Sequence, residues 1–298
     1  MKIPGSLFLA FGLVGCCSAA EKSNSVHAEP AAHHSLWKIQ GKEHAVYLLG
    51  SIHLLNKTNY PLPQVMETAY SNSTTIAFEA DIAEVENIGN GLKLLKQTTL
   101  PEGETIESHV SPELYKLFTN HVAEAGFPLF LVERFKPGMA AMTLEVLEAQ
   151  KMGLDPEYGI DKHFYHRAKK DAKETIGLET MDFQMSLITG LSKREGELML
   201  KNTLKELESL KTDLGDVVAA WNTGDASKLD KLLTEGGEEV ADLNKKMITD
   251  RNERWVPQIE GLLKEDKPAL VIVGAAHLVG KEGVVEMLRK RKWKVMQL

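Results

Sequence analysis

The segment at residues 269–273 reads Ala-Leu-Val-Ile-Val and contains no polar residue. A short run of this kind predicts a strand that is buried on both faces. Such a strand belongs to a sheet that is covered by helices, which is the arrangement found in α/β proteins. This run restricts the fold more than any other feature of the chain.

Further short apolar runs predict strands, and longer helical patterns fill the gaps between them. The predicted strands span residues 36–40, 45–49, 74–78, 174–178, 269–273 and 294–298. The predicted helices span residues 63–71, 112–125, 139–152, 160–170, 284–290 and most of 183–263, with breaks at Gly190, Gly224 and Gly236-Gly237. We therefore predict an α/β fold with a mixed, largely parallel central sheet, flanking helices and a helical insertion at residues 183–265, before the penultimate strand.

The N-terminus has the pattern of a removable export signal, with a basic start, an apolar run at residues 3–14 and small residues after it. A helix needs roughly 20 apolar residues to span a bilayer, so this run is too short to do so. Leu-Val-Gly-Cys, ending at Cys16, resembles a bacterial lipobox and predicts lipidation of that cysteine, whereas residues 18–20 offer a cleavage site for simple secretion. Residues 1–16 are thus the predicted signal peptide, residues 17–34 a flexible tether, and residues 35–298 the working domain.

Composition limits the partners of that domain. The only two cysteines are Cys16 and Cys17, so any metal in the domain must be held by His, Asp and Glu. The formal net charge is −7, and the dense basic run at residues 289–292 is explained as the solvated end of a helix. Nucleic-acid binding needs a basic footprint, so a nucleic-acid partner is disfavoured.

Polar residues recur where the predicted strands end. Gly-Ser-Ile-His, ending at His53, follows the second strand, and Gly-Ala-Ala-His, ending at His277, follows the fifth. Glu79 and Glu179 follow the third and fourth. Glycine lacks a Cβ and lets the backbone bend away from the strand. Ligands of open α/β sheets bind outside the carboxyl ends of the strands, so parallel neighbours would bring these four side chains to one edge.

Two neutral imidazoles and one or two carboxylates form a reasonable site for a divalent transition metal. Such an ion could polarise a carbonyl and lower the pKa of its bound water toward ~7. A remaining carboxylate could then act as general base. The sequence contains neither the His-Glu-x-x-His helix of an ordinary zincin nor a Gly-x-Ser-x-Gly elbow. Taken singly, each residue also has a structural interpretation, as a hydrogen-bonding His or a surface or capping Glu.

Three further residues have two interpretations each. Asp161 opens a predicted helix and is either a stabilising N-terminal charge or a substrate ligand. Arg251 and Asn252 lie late in the helical insertion, either on a solvated helix face or at a substrate. The guanidinium of Arg251 could hold a carboxylate or an oxyanion with its fork of donors.

Together these residues resemble the TraB/GumN family over nearly all of the predicted domain. The matching segments are Leu48-Leu49-Gly50-Ser51-Ile52-His53, Phe78-Glu79, Gly159-Ile160-Asp161 with Phe164, Leu178-Glu179-Thr180, Arg251-Asn252, and Val273-Gly274-Ala275-Ala276-His277-Leu278 with Gly280 and Gly283. The family includes bacterial pheromone-shutdown proteins, GumN-type proteins and the animal Tiki ectodomains. The resemblance implies a fold similar to that of erythromycin esterase and the haem-binding ChaN-like proteins.

The resemblance also implies an activity, because Tiki proteins are membrane-anchored metalloproteases that use Mn²⁺ or Co²⁺ to trim Wnt ligands. Mn²⁺ or Co²⁺ is therefore the expected cofactor, with Zn²⁺ as an alternative. Carried over by motif, the metal ligands are His53, Glu79 and His277; the catalytic residues are Glu79, Glu179 and Arg251; and the substrate-binding residues are Asp161 and Asn252.

The sequence thus predicts an exported, metal-dependent hydrolase, a peptidase that acts on a peptide or protein substrate at the cell envelope. A lipid on Cys16 would anchor it to the membrane. Two alternatives remain open. One is a non-catalytic envelope protein that binds or sequesters a peptide, and the other is a metal-free esterase in which a histidine acts as base.

Overall fold

The computed structural model describes residues 33–86, 88–207, 209–233 and 238–298. The predicted signal peptide, its Cys16, most of the predicted tether and the predicted helix break at Gly236-Gly237 lie outside the described residues. Within the described residues, no helix combines the length and apolarity that a bilayer crossing requires.

Six strands form one mixed sheet: β1 (Leu36–Gln40), β2 (Ala45–Ser51), β3 (Thr75–Ala80), β4 (Glu174–Glu179), β5 (Ala269–Gly274) and β6 (Val295–Gln297). Their order across the sheet is β4-β3-β5-β2-β1-β6. The first four are parallel neighbours, and β1 pairs antiparallel with β2 and with β6. The predicted mixed, largely parallel sheet is confirmed, and the strand ends differ from the predicted ends by at most two residues.

The apolar run that dominates the sequence is the central strand, β5. Every residue of β5 is buried, and the strand pairs with β3 on one side and β2 on the other. Fully burying a Val, Leu or Ile side chain stabilises a fold by roughly 1.5–3 kcal/mol. The strand therefore anchors the hydrophobic core, to which all six strands contribute.

Helices flank the sheet, and they include every helix predicted from the periodicity of the described residues. They are α1 (Gln64–Ser71), α2 (Ile82–Glu86), α3 (Ile88–Thr98), α4 (Pro112–Glu124), α5 (Pro137–Lys151), α6 (Ile160–Lys170), α7 (Met181–Thr189), α8 (Lys193–Leu207), α9 (Leu210–Asn222), α10 (Ala226–Leu233), α11 (Ala241–Asn244), α12 (Asp250–Leu262), α13 (Ala275–Leu278) and α14 (Val284–Lys290). Short 3₁₀ turns lie at Lys57–Asn59, Ile106–His109, Leu129–Leu131, Pro156–Tyr158 and Glu238–Val240.

The helical insertion before β5 is also present, as α7 to α12. The predicted breaks at Gly190, which follows α7, and at Gly224, between α9 and α10, are confirmed. Helices α2 and α3 were not predicted. Two glycines in α3, Gly89 and Gly91, each disfavour a helix by about 1 kcal/mol relative to Ala and hide its pattern.

The chain enters this fold at a particular edge of the sheet. Because β1 is antiparallel to β2, Leu36 pairs with Leu49 close to the carboxyl end of β2. The Gly50 amide donates to the carbonyl oxygen of Ser35 over 2.8 Å, which fixes residue 35 at that end. Ser35, the residue before β1, therefore lies at the edge of the sheet where the parallel strands end.

Candidate active site

Four predicted side chains converge at the carboxyl ends of β2, β3, β4 and β5. His53 follows β2 by two residues, and His277 lies in α13, the single helical turn after β5. Nε2 of His53 lies 4.0 Å from Oε1 of Glu79, and Nε2 of His277 lies 3.9 Å from the same oxygen. Glu179 joins them through Arg251, whose guanidinium contacts both carboxylates. Parallel pairing of the four strands brings these residues together, as predicted.

A carboxylate fixes the orientation of the His53 ring. Nδ1 of His53 lies 2.8 Å from Oδ1 of Asp161, and the Ser51 hydroxyl donates to the same oxygen over 2.9 Å. Asp161 reaches the ring because α6 begins against the loop that carries it. A Cβ at position 159 would lie 2.4 Å from the carbonyl oxygen of His53, so Gly159 is required for this approach. With the proton on Nδ1, Nε2 is the unprotonated nitrogen of the neutral ring.

An amide fixes the orientation of the His277 ring. Asn252 donates from Nδ2 to the carbonyl oxygen of Glu282 over 2.7 Å, which directs its Oδ1 toward His277. Oδ1 then accepts from Nδ1 of His277, also over 2.7 Å. Nε2 is again the unprotonated nitrogen, and the Trp255 ring packs against the imidazole with 4.4 Å between centroids. Both imidazoles thus present the same nitrogen to Glu79.

Arg251 fills the interior of the site and is only 1% exposed. Its Nε and Nη2 donate to Oε2 of Glu179 over 3.0 and 2.9 Å, and Nη2 also donates to Oε2 of Glu79 over 2.6 Å. Its Nη1 donates to the carbonyl oxygen of Met247 over 3.2 Å and to Nε2 of His277 over 3.0 Å. A guanidinium has five N–H donors, and all five have a partner here.

The solvated-face interpretation of Arg251 and Asn252 is wrong, since both residues are buried. A π-helical segment, Lys245–Thr249, immediately precedes α12, and such segments are frequent at functional sites. The Trp255 ring lies one turn further along α12, with its centroid 4.7 Å from Cζ of Arg251. The insertion thus delivers a guanidinium and an amide to the strand ends.

Gly274, the last residue of β5, leaves a space between the two histidines. Its amide donates to Oε1 of Glu79 over 2.6 Å. Its φ of −50° and ψ of 137° suit any residue. Glycine is therefore needed here because it has no side chain, and not because of its backbone conformation. A Cβ at this position would lie 3.1 Å from Oε1 of Glu79, 3.5 Å from Nε2 of His53 and 3.5 Å from Cδ2 of His277. All three side chains therefore border the volume that a methyl group would fill.

The types of donor, two imidazoles and a carboxylate, fit a divalent metal, and so do the two separations around Glu79. Two ligands that each lie about 2.1 Å from one ion can be up to about 4.2 Å apart, and the separations of 4.0 and 3.9 Å around Glu79 fall within that limit. His53 and Glu79 fit as they stand. The ligand atoms of His53, Glu79 and His277 do not all lie within 4.8 Å of one another, so one ion could bind all three only if the two imidazoles moved closer together and Nη1 of Arg251 left Nε2 of His277.

A second group of potential ligands lies at the opposite edge of the sheet. Among the described residues, it is the one His, Asp and Glu group whose ligand atoms all lie within 4.8 Å of one another, and it consists of Glu43, His44 and Asp266. All three residues are exposed, and exposed ion pairs contribute little to stability. Exposed acidic groups are common without an ion, so the cluster at the carboxyl ends of the strands remains the candidate site.

The pKa values of the two carboxylates, Glu79 and Glu179, are shifted in opposite directions. Burial opposes the ionisation of Glu79, but the Arg251 guanidinium outweighs it and lowers the pKa of Glu79 to about 2. Burial raises the pKa of Glu179 above its ordinary value, although Arg251 opposes the shift. Glu79 is therefore ionised at neutral pH and suited to hold a cation, whereas Glu179 is the carboxylate with the greater proton affinity.

The two histidines also differ. Burial lowers the pKa of His53, but the adjacent Asp161 carboxylate outweighs it, and the net shift is upward. Burial and the Arg251 guanidinium lower the pKa of His277 to about 3, against weaker opposition from Glu79. His277 is therefore neutral at neutral pH, in agreement with its acceptance of a hydrogen bond from Arg251.

We expect this shift to make stability depend on pH. The unfolded chain binds a proton at His277 below pH 6.5, whereas the folded chain does not until about pH 3. The contribution of His277 to the free energy of unfolding should thus fall as the pH drops through this window, by up to about 1.4 kcal/mol per unit. Urea unfolding with chelator from pH 7 to pH 4 measures it. His277→Gln, whose amide can replace both ring contacts, should show a flatter profile; parallel profiles would contradict the assignment.

The sequence did not reveal three groups at the site: Gln184, the Trp255 ring and the Gly274 amide. Gln184, on α7, is 3% exposed, and its Nε2 lies 3.4 Å from Oε2 of both Glu79 and Glu179. A polar residue between the apolar positions Met181 and Met185 is the one local signal that could have indicated it.

The protein is thus an α/β protein with a largely parallel sheet, and the ends of its parallel strands carry a buried cluster of two His, two Glu and one Arg. The chain belongs to the TraB/PrgY/gumN family, whose sequence profile matches residues 35–297.

Its relatives include bacterial and animal proteins. An uncharacterised Escherichia coli (strain K12) protein, YbaP, is 26% identical over 84% of this chain and 90% of its own length. Human Metalloprotease TIKI1 is 21% identical over 87% of this chain and 61% of its own length. Zebrafish (Danio rerio) Metalloprotease TIKI2 is 21% identical over 84% of this chain and 57% of its own length. No solved structure matches.

Proposed function

We propose that this protein is a divalent-metal-dependent hydrolase that cleaves a peptide or protein at the cell envelope. The orientation of the two imidazoles carries the proposal. In each ring Nδ1 is held by an oxygen, of Asp161 or Asn252, and Nε2 lies about 4 Å from the same oxygen of Glu79. Metal-ligating histidines almost always have such a partner on the second nitrogen. Relatives named as metalloproteases, which align with over four-fifths of this chain, add support.

In this proposal, His53, Glu79 and His277 would hold the ion, with Mn²⁺ or Co²⁺ expected from the family resemblance and Zn²⁺ as an alternative. A bound divalent ion would polarise the scissile carbonyl and supply a water with a pKa near ~7. Glu179, whose pKa burial raises, would accept or return a proton. Asp161 and Asn252, predicted to bind substrate, would chiefly position the rings.

The accessible side of the site indicates where substrate would approach. The side chains of Asp161, Glu79 and His53 are 24%, 13% and 12% exposed, whereas those of His277, Glu179 and Arg251 are 5% exposed or less. Substrate would therefore approach over Asp161. The proposal places the protein outside the cytoplasm, exported by its N-terminal signal and anchored through a lipid on Cys16.

One contact favours a second candidate function, a metal-free hydrolase with His53 as general base. Nη1 of Arg251 already contacts Nε2 of His277, while the hydrogen bond of His53 to Asp161 is the base–orienter pair of a catalytic triad. No metal would then be needed.

The two candidates are separated by incubating a peptide library with the protein and following cleavage by mass spectrometry. We expect cleavage that a chelator abolishes, that Mn²⁺ or Co²⁺ restores and that His53→Ala prevents. Cleavage that survives the chelator would establish the metal-free candidate. Peptides that are retained by the protein but never cut would overturn both candidates and identify a sequestering protein.

Asp161→Asn tests the orientation of His53. Replacing the carboxylate should weaken metal binding about 10- to 100-fold, as removal of such a partner typically does. Calorimetric titration with Zn²⁺ measures the effect. Asp182→Asn is the matched control, since Asp182 is exposed and paired with Lys93. Unchanged affinity in Asp161→Asn would show that His53 is not a ligand that Asp161 supports.

A further inference from the structure

The guanidinium of Arg251 lies where the proposed metal centre requires positive charge. It forms ion pairs with both Glu79 and Glu179 and occupies the acceptor nitrogen of His277. A metal bound to His277 needs the same lone pair, since Nδ1 of that ring carries its proton toward Asn252. One nitrogen lone pair cannot serve both partners.

We propose that Arg251 is an internal counter-cation of this site, which competes with the divalent ion for Nε2 of His277. The inference rests on the proposed function, because it concerns the same three ligands. Metal loading then has a defined consequence for Arg251. Its Nη1 loses one of its two acceptors, while Nε and Nη2 keep their bonds to Glu179 and Glu79.

Arg251 therefore changes from a fully engaged residue to one with a single free donor when metal binds. The predicted role of Arg251, orienting substrate or stabilising an oxyanion, needs such a donor. In the metal-free arrangement none is available, because all five N–H groups have partners. The competition thus links two steps: the loading of the ion and the release of a donor toward substrate.

Competition predicts the direction in which metal affinity changes: removing Arg251 should raise it. A comparison of the single variant Arg251→Met with the wild type would not isolate this effect, because a neutral residue at 251 also makes the site more negative. The double variant Arg251→Met with Glu179→Gln removes one positive and one negative charge, so the formal charge of the cluster stays as in the wild type. In that variant Nε2 of His277 no longer has to release a guanidinium.

The experiment titrates metal-free protein with Zn²⁺ and, separately, with Mn²⁺ in a calorimeter. We expect the double variant to bind each ion about 10- to 100-fold more tightly than the wild type, the range that corresponds to one hydrogen bond to a charged group. Binding by the double variant alone would equally support competition. Circular dichroism confirms that the variant is folded.

The other outcomes overturn the inference in distinguishable ways. If both proteins bind and the double variant binds no more tightly, competition is excluded and the metal centre stands. If neither binds, the metal centre and the competition both fail. Should the double variant not fold, Arg251→Lys replaces it, since its ammonium keeps the charge but cannot contact Glu79, Glu179 and His277 from three separate nitrogens. Unchanged or weaker affinity in Arg251→Lys would then exclude competition.

Discussion

Gly274→Ala should weaken Zn²⁺ or Mn²⁺ binding at least about 100-fold and abolish metal-dependent cleavage, while the protein stays folded. The added methyl group would lie 3.1 Å from Oε1 of Glu79 and 3.5 Å from Nε2 of His53, within the volume that the proposed ligands share. The backbone of residue 274 is compatible with alanine, so the substitution changes the space and not the chain path. A 100-fold loss of affinity corresponds to about 2.7 kcal/mol of binding free energy.

Calorimetric titration with Zn²⁺ and peptide cleavage with Mn²⁺ are the measurements for Gly274→Ala. Gly215→Ala is the matched control, because a Cβ at this exposed helical position meets no atom within 4 Å. It should bind metal as the wild type does. If Gly274→Ala also binds metal normally, the ion does not lie between His53, Glu79 and His277, and the proposed centre is wrong.

Arg251→Met should lower the free energy of unfolding by about 3–5 kcal/mol, the cost of removing one partner from a buried ion pair. Glu79 and Glu179 both rely on this guanidinium, and their side chains are only 13% and 4% exposed. Methionine fills a similar volume but leaves two carboxylates close together without a counter-charge. Adding Glu179→Gln to Arg251→Met should recover part of the loss, because a single carboxylate then remains.

Chemical denaturation of metal-free protein measures this loss. Arg254→Met on the same helix is the control, since Arg254 is exposed and its guanidinium packs over the Phe183 ring. That variant should lose less than about 1 kcal/mol, the range of an exposed cation–π contact. A loss in Arg251→Met no greater than that of the control would show that the two carboxylates do not depend on Arg251.

The sheet and most helices could be predicted because their signals are local. A run such as that of β5 indicates burial on both faces, and helical periodicity is visible within one or two turns. The carboxyl-end rule then predicts that His53, Glu79, Glu179 and His277 meet. The order β4-β3-β5-β2-β1-β6 had no such signal, since the pairing of strands distant in sequence depends on packing of the whole chain.

The contacts of Arg251 could not be predicted for the same reason. It is separated from Glu79 by 172 positions, and only the packing of α12 against the strand ends brings the two together. On sequence alone, an arginine within Asp-Arg-Asn-Glu is indistinguishable from a solvated helix residue. Family resemblance identified the residue but not its five bonds. The signal peptide and the lipidation of Cys16, which lie outside the described residues, stay predictions.

The antiparallel placement of β1 has a consequence for which substrates the site can reach. Ser35, the residue before β1, lies at the edge of the sheet that carries the candidate site, because the Gly50 amide donates to its carbonyl oxygen there. If Cys16 is lipidated, the 18 residues of the predicted tether can reach no further than about 60 Å even when fully extended. The proposed active site would then stay within that distance of the membrane surface, and its substrates would be membrane-proximal segments and newly exported chains.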